Sequence, residues 1–222
     1  MAQGHIHTGH QTMPQIQIRD GQLRLAVANC YIDRQKVKLG SKLKEGNFGV
    51  VYKARWTIAK DDGNEEVKIV AAKTLKRIDT ALQVGFHKDV DWPFHNLFFL
   101  LRTYYKNHIK LENFLREGVM MRAFNHRNVL KIYGVCTAPG EYPIIVLPYM
   151  ENGDLRGFLR DSENELTVIE LIGFCVDIAC GMNHLAEKNF IHRDLAVRNV
   201  FVGGIDESTG RHNLKGLFST FS

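Results

Sequence analysis

The stretch Phe190-Ile191-His192-Arg193-Asp194-Leu195-Ala196-Val197-Arg198-Asn199-Val200-Phe201-Val202 constrains this chain more than any other. Five side chains that can donate, accept or carry charge (His192, Arg193, Asp194, Arg198 and Asn199) stand between two short apolar runs of strand character. Burying both runs brings the polar loop to the edge of a core. An ionised group is costly there unless it is paired or used. A loop so charged between buried runs points to a catalytic site.

Upstream, three further features bear on chemistry. Leu111 to Phe124 has helical spacing, with Phe114, Glu117, Met121 and Phe124 on one face. A glutamate on an otherwise apolar face needs a cation to meet it. Lys73 ends the apolar strand Val70-Ala71-Ala72-Lys73, and such a lysine with an inward-facing glutamate forms a pair fit to grip an anion. Earlier still, Leu43-Lys44-Glu45-Gly46-Asn47-Phe48-Gly49-Val50-Val51 is a glycine-bearing turn between the strands Val37–Leu39 and Val50–Ala54. Glycine lets such a turn lay backbone N–H groups over phosphates, although taken alone it reads as an ordinary hairpin.

Turn residues Lys60 to Asn64 precede a third strand, Val67 to Lys73, and two more follow at Leu130–Cys136 and Ile144–Leu147. A short helix is expected after Asn152-Gly153-Asp154. A long one spans Thr167 to Ala186, with Leu171, Phe174, Cys175, Ile178, Met182 and Leu185 as its core stripe. Residues 1–35 read as a flexible polar lead in which His5, His7 and His10 are no metal cluster. A strand-rich first half with one helix, followed by a helical second half, implies a two-lobed α+β protein.

Of the 222 residues 45% are hydrophobic and 24% charged, enough to bury a core and to exclude disorder and disulfide-scaffold classes. A net charge of +5 favours an acidic ligand without announcing a nucleic-acid binder, so no nucleic acid is expected as a partner. Cys30, Cys136, Cys175 and Cys180 show neither a C-x-x-C pair nor metal-ligand spacing with histidine, and read as buried reduced thiols in a cytoplasmic setting. No apolar core of a secretory signal occurs between Met1 and Asp33. The apolar cluster Phe94–Leu101 is far short of a span, so no membrane segment is expected.

The order of glycine-rich turn, strand lysine, helix glutamate and His-Arg-Asp-x-x-x-x-Asn loop resembles the eukaryotic protein kinases from about Val37 to Lys215. Within that family, Ala196 and Arg198 after Asp194 resemble tyrosine kinases. Ile145–Met150, Gly153–Arg156 and Val176–Met182 resemble the hepatocyte-growth-factor receptor and Axl/Mer groups of receptor tyrosine kinases. The resemblance implies a small lobe of five antiparallel strands and one helix (36–147, with an unusual insert at 82–110). It implies an incomplete, mainly helical large lobe (148–215) and a divergent tail (216–222).

It also implies transfer of the ATP γ-phosphoryl group to a protein tyrosine, with ATP and Mg²⁺ as cofactors and the cytoplasmic side of the plasma membrane as the setting. Full-length receptor kinases are implied as further partners. In such a kinase Gly46, Asn47, Phe48 and Gly49 cover the phosphates, and Val51 and Ala71 roof the adenine. Lys73 contacts the phosphates and is held by Glu117. Leu147 is the gatekeeper, Pro148, Tyr149 and Met150 form the hinge, and Phe201 forms the adenine floor. Asp194 accepts the substrate proton, Arg198 braces its loop, and Asn199 ligates Mg²⁺.

Three departures accompany the resemblance. Lys44 replaces the first glycine of the loop. Lys73 and Glu117 stand 44 positions apart, and the surplus between them holds Phe86, Trp92, Phe94, Phe98, Phe99, Tyr104 and Tyr105. After Asn199 no Asp-Phe-Gly follows. The chain therefore reads as truncated before that motif, and turnover by it alone is not expected.

Overall fold

The computed structural model describes residues 18, 20–46, 49–75, 109–138, 141–206 and 210–216. Asn47, Phe48, nearly all of the 82–110 insert and the tail beyond 216 lie outside the described residues. Six strands build one sheet: β1 (Tyr31–Ile32), β2 (Val37–Gly46), β3 (Gly49–Ala59), β4 (Glu65–Thr74), β5 (Gly134–Cys136) and β6 (Ile144–Pro148), in the order β1-β5-β6-β4-β3-β2.

Strands β2 to β6 are antiparallel, as expected, but β1 adds a sixth that runs parallel to β5. The sheet is therefore mixed, which corrects the purely antiparallel five-stranded expectation. The amide of Val135 donates to the Cys30 carbonyl at 2.8 Å. Gly134 sits so close that an added Cβ would meet the same oxygen at 2.3 Å, so only glycine admits this parallel edge.

The flexible lead is likewise corrected over residues 20–35. Helix α1 (Gly21–Ala28) is capped by Asp20, whose carboxylate accepts from the amides of Gln22 and Leu23. Leu23 and Val27 lie four residues apart on one face. They bury with Cys30 in the core that holds Phe114, Leu115 and Met121 of helix α2 (109–122). Side chains alternate across the sheet. Val70 and Ala72 enter one core with Ile32, Val37, Ala54 and Val146, while Ala71 packs on the other side with Ile145, Leu147 and α2.

The large lobe begins with α3 (Leu155–Arg160) and α4 (Val168–Glu187), followed by the hairpin β7 (Val200–Asp206) and β8 (Arg211–Gly216). Thr167 and Glu170 close a capping box at the start of α4. Phe174 packs with Phe158, Val200, Val202 and Leu214. The α4 core line is displaced from the expected stripe. Gly173, Phe174, Asp177, Gly181 and Leu185 are buried, Ile178 and Met182 half-buried, and Leu171 and Cys175 exposed. The glycines set this line. A Cβ on Gly181 would meet the Asn128 carbonyl at 2.8 Å, and one on Gly173 would meet Arg211 at 2.6 Å. Cys175 and Cys180 are thus exposed and only Cys30 and Cys136 buried, which corrects the reading of four buried thiols.

By length and composition alone α4, with mean hydropathy 1.5, could cross a bilayer. In this fold it packs on β8 and buries Asp177, which Arg127 and Arg211 approach at 3.9 and 3.8 Å.

Candidate active site

The ion pair expected from the glutamate on the apolar face of α2 is present. Lys73 Nζ donates to Glu117 Oε1 at 2.9 Å; the lysine side chain is 19% exposed and the carboxylate side chain 9%. The apolar faces that bury Phe114 and Met121 also carry Glu117 inward, and the ladder carries Lys73 to meet it. Val51 lies opposite Lys73, and Ala71 opposite both Lys53 and Leu147, so Val51, Ala71, Lys73 and Leu147 share one face of the sheet.

Gly46 and Gly49 close the turn above that face as direct cross-strand neighbours. Their needs differ. A Cβ on Gly49 would meet the Thr74 carbonyl at 2.2 Å, so the fold itself requires glycine there. A Cβ on Gly46 would meet nothing within 4 Å, so packing does not require glycine there.

Pro148 ends β6, and the chain through Tyr149 and Met150 leads to the large lobe. This connection is stitched to β7: the Val202 amide donates to the Gly153 carbonyl at 2.9 Å, and the Asn152 side chain to the Gly203 carbonyl at 2.7 Å. Phe201 forms a β-bridge with Asp154. Residues 152–154 and β7 are therefore tied together.

In the loop after α4, Asp194 is held on both carboxylate oxygens. Arg198 donates to Oδ1 at 2.5 Å, and Asn199 Nδ2 donates to Oδ2 at 2.8 Å and to the Asp194 carbonyl at 2.9 Å. The buried ring of His192 accepts from the Asp194 amide at 3.2 Å, and Arg193 takes a left-handed φ of 65° that turns the chain between them. A half-buried carboxylate fixed in this way is an oriented proton acceptor. The oxygens of Asp194 and Asn199 are hard donors of the kind Mg²⁺ takes when phosphates and water complete its shell. Such a metal would supply charge neutralisation at the phosphates. No cluster of three or more His, Cys, Asp or Glu exists among the described residues.

Asp154 carries a role that the sequence reading did not assign. Its Oδ1 accepts from the Gly157 amide as N-cap of α3, and Lys44 Nζ reaches its Oδ2 at 3.0 Å. Partial burial pushes its carboxyl upward, but the Gly157 amide and Lys44 outweigh that and hold it below the usual carboxylate range. Lys44, standing where a glycine was expected, thus ties β2 to the N-cap of α3. The Asn-Gly-Asp turn before an apolar run was the available signal for the cap; nothing local foretold the partner.

Residues 100–209 match the family model of protein tyrosine and serine/threonine kinases. The chain carries a protein kinase domain. The matched stretch includes Glu117, Pro148 to Met150, Asp194, Arg198 and Asn199 of that kinase domain. Gly46, Gly49 and Lys73 precede it in sequence. The Lys73–Glu117 pair and the β4–β6 ladder join them to it, completing the mixed-sheet small lobe of an α+β kinase fold.

Proposed function

We propose that this kinase domain is of the receptor tyrosine type and transfers the γ-phosphoryl group of ATP to protein tyrosine, working with Mg²⁺ on the cytoplasmic face of a membrane. The observation that carries the reading is the state of Asp194, held by Arg198 four residues on and by Asn199. Serine/threonine kinases commonly place a lysine where this chain has Ala196. Arg198 instead takes over the bracing of the base, the arrangement that the tyrosine-kinase resemblance implies.

In this reading Lys73, oriented by Glu117, binds the α- and β-phosphates, the Gly46 backbone covers them, and Leu147 to Met150 present the adenine edge. Asp194 takes the proton of the incoming hydroxyl, and Asn199 holds the metal oxygen shell. Phosphoryl transfer asks for alignment and charge placement more than covalent work, and these residues supply both.

The sequence after Asn199 has one aspartate, Asp206 on β7, and no Asp-Phe-Gly. The 222-residue polypeptide by itself should therefore bind nucleotide and not turn over. A radiolabelled-ATP assay with tyrosine and serine peptides, run beside Asp194→Asn, tests this. Transfer to serine but not tyrosine would overturn the specificity. Tyrosine transfer lost in Asp194→Asn would show that another group completes the metal site.

A second reading, a non-catalytic nucleotide-binding module that engages full-length receptor kinases, is favoured by the Lys44–Asp154 bridge across the cleft. Nucleotide binding without turnover, also after fusion to a segment that carries Asp-Phe-Gly, would support it.

A further inference from the structure

The turn 123–129 that follows α2 meets the C-terminal half of α4 through stacked rings. The imidazoles of His126 and His184 lie 4.9 Å apart, centroid to centroid, at an interplanar angle of 17°. Phe124 stands edge-on to His184 at 6.4 Å and to Phe190 at 5.0 Å. From Phe190 the chain enters the loop that carries Asp194.

Hydrogen bonds place the protons on these rings. The Asn128 amide donates to Nδ1 of the half-buried His126 at 3.2 Å, so that ring is neutral, with its proton on Nε2. His184 Nε2 is buried and meets no hydrogen-bond partner among the described residues, so a proton on Nδ1 leaves no buried donor stranded. Asn128 is itself a junction. Its side chain donates to the Leu214 carbonyl at 3.0 Å, and its carbonyl accepts from the Gly216 amide at 2.9 Å, both on β8.

Stacked histidines can be aromatic packing and nothing more. That explanation covers the two rings but not the bare Nδ1 turned to the Asn128 amide. A proton there would set one N–H against another at the place of the hydrogen bond. The charged and titratable groups that face His126 are His184 and Glu187 of α4 and Arg127 of its own turn. Burial, then His184 and Arg127, hold its pKa below the ordinary 6.5, while Glu187 pulls the other way.

We propose that His126 is a proton-sensitive latch. Neutral, it holds the turn 123–129 on α4 and β8; protonated, it gives up the Asn128 amide and loosens the packing that reaches Phe190. An unfolded chain takes this proton near pH 6.5 and the folded chain only at lower pH. The latch therefore contributes its full stability above that value, and the contribution falls as pH drops below it. No nucleotide enters the device, so it stands whether or not the chain turns over ATP.

The test is an NMR titration of the full chain, labelled with ¹³C and ¹⁵N, from about pH 8 to about pH 5, beside melting temperatures over the same range. His126 should titrate below 6.5, and the amide signals of Asn128 and Phe190 should move with the same midpoint. His126→Asn keeps an oxygen acceptor for the amide two residues on and removes the titration. Its loss of melting temperature on acidification should be smaller than that of wild type by about 2 °C or more. His184→Phe keeps a ring in the stack without its charge and should move the His126 midpoint up towards 6.5. A wild-type His126 midpoint at or above 6.5 would overturn the proposal. So would Asn128 and Phe190 signals that stay still through that midpoint, or equal acid losses in wild type and His126→Asn.

Discussion

Replacing Lys73 with methionine leaves the Glu117 carboxylate buried with its cation gone. At a separation of 2.9 Å and an effective dielectric of about 20, the gross attraction in the pair is about 6 kcal/mol. Desolvation of both ions offsets most of it, so the pair as a whole adds little. Breaking it from one side is a different matter, because such a change costs about 3–5 kcal/mol. Glu117 is the more buried partner, whereas Lys73 keeps some solvent and lies 5.9 Å from the Phe114 ring centroid. Lys73→Met should therefore cost about 3 kcal/mol and Glu117→Gln about 2 kcal/mol. The double change Lys73→Met with Glu117→Leu should recover to within about 1 kcal/mol of wild type. Urea unfolding measures all three, and in a domain of this size about 3 kcal/mol corresponds to roughly 6–12 °C in melting temperature. Single variants each within about 0.5 kcal/mol of wild type, or additive costs in the double, would refute the buried pair.

Thr167→Ala removes the side-chain cap of α4 and should cost about 1 kcal/mol in the same unfolding assay. Lys44→Gly frees the roof from Asp154. Partly exposed ion pairs contribute about 0–1 kcal/mol, so nucleotide affinity by calorimetry should shift no more than about fivefold. A larger drop would mean that Lys44 itself grips phosphate. Burial pushes the Cys136 thiol up to about 12, above its ordinary 9.0. Between those two values the unfolded chain has lost a proton that the folded chain keeps. Cys136 should make stability fall by about 1.4 kcal/mol per pH unit across that window, and Cys136→Val should lessen the slope, leaving the part due to Cys30 and Tyr31, which burial also raises. At pH 8 a maleimide should label Cys175 and Cys180 in the native protein and all four cysteines in urea, as read by mass spectrometry.

Much of this arrangement was legible in the sequence wherever one residue broke a local pattern. Glu117 announced a partner because it interrupts an apolar helical face. Asp194, Arg198 and Asn199 announced themselves by their density between apolar runs. What escaped reading has no period to detect. β1 is two residues long and is admitted by a close approach at Gly134, and α1 buries only Leu23 and Val27 while the equally apolar Leu25 faces out, so its apolar pattern does not mark the buried face. The α4 stripe held at Phe174, Ile178, Met182 and Leu185 and failed at Leu171 and Cys175, because Gly173 and Gly181 draw the contact line where the neighbour's bulk decides the packing. Lys44–Asp154 joins residues 110 positions apart, and no local rule pairs them.

The residues ahead of the sheet have a mechanical meaning. Asp20 caps α1 with one oxygen and receives Arg116 on the other at 2.9 Å, and Arg116 is the immediate neighbour of Glu117. Val27 and Leu23 back the same helix from behind. A load applied along the chain before Asp20 is thus delivered, through one ion pair and two side chains, to the helix that aims the carboxylate at Lys73. Cutting at residue 36, where composition suggests the domain begins, would sever that linkage. A chain cut there would leave Arg116, on the helix that presents Glu117 to Lys73, without its partner Asp20.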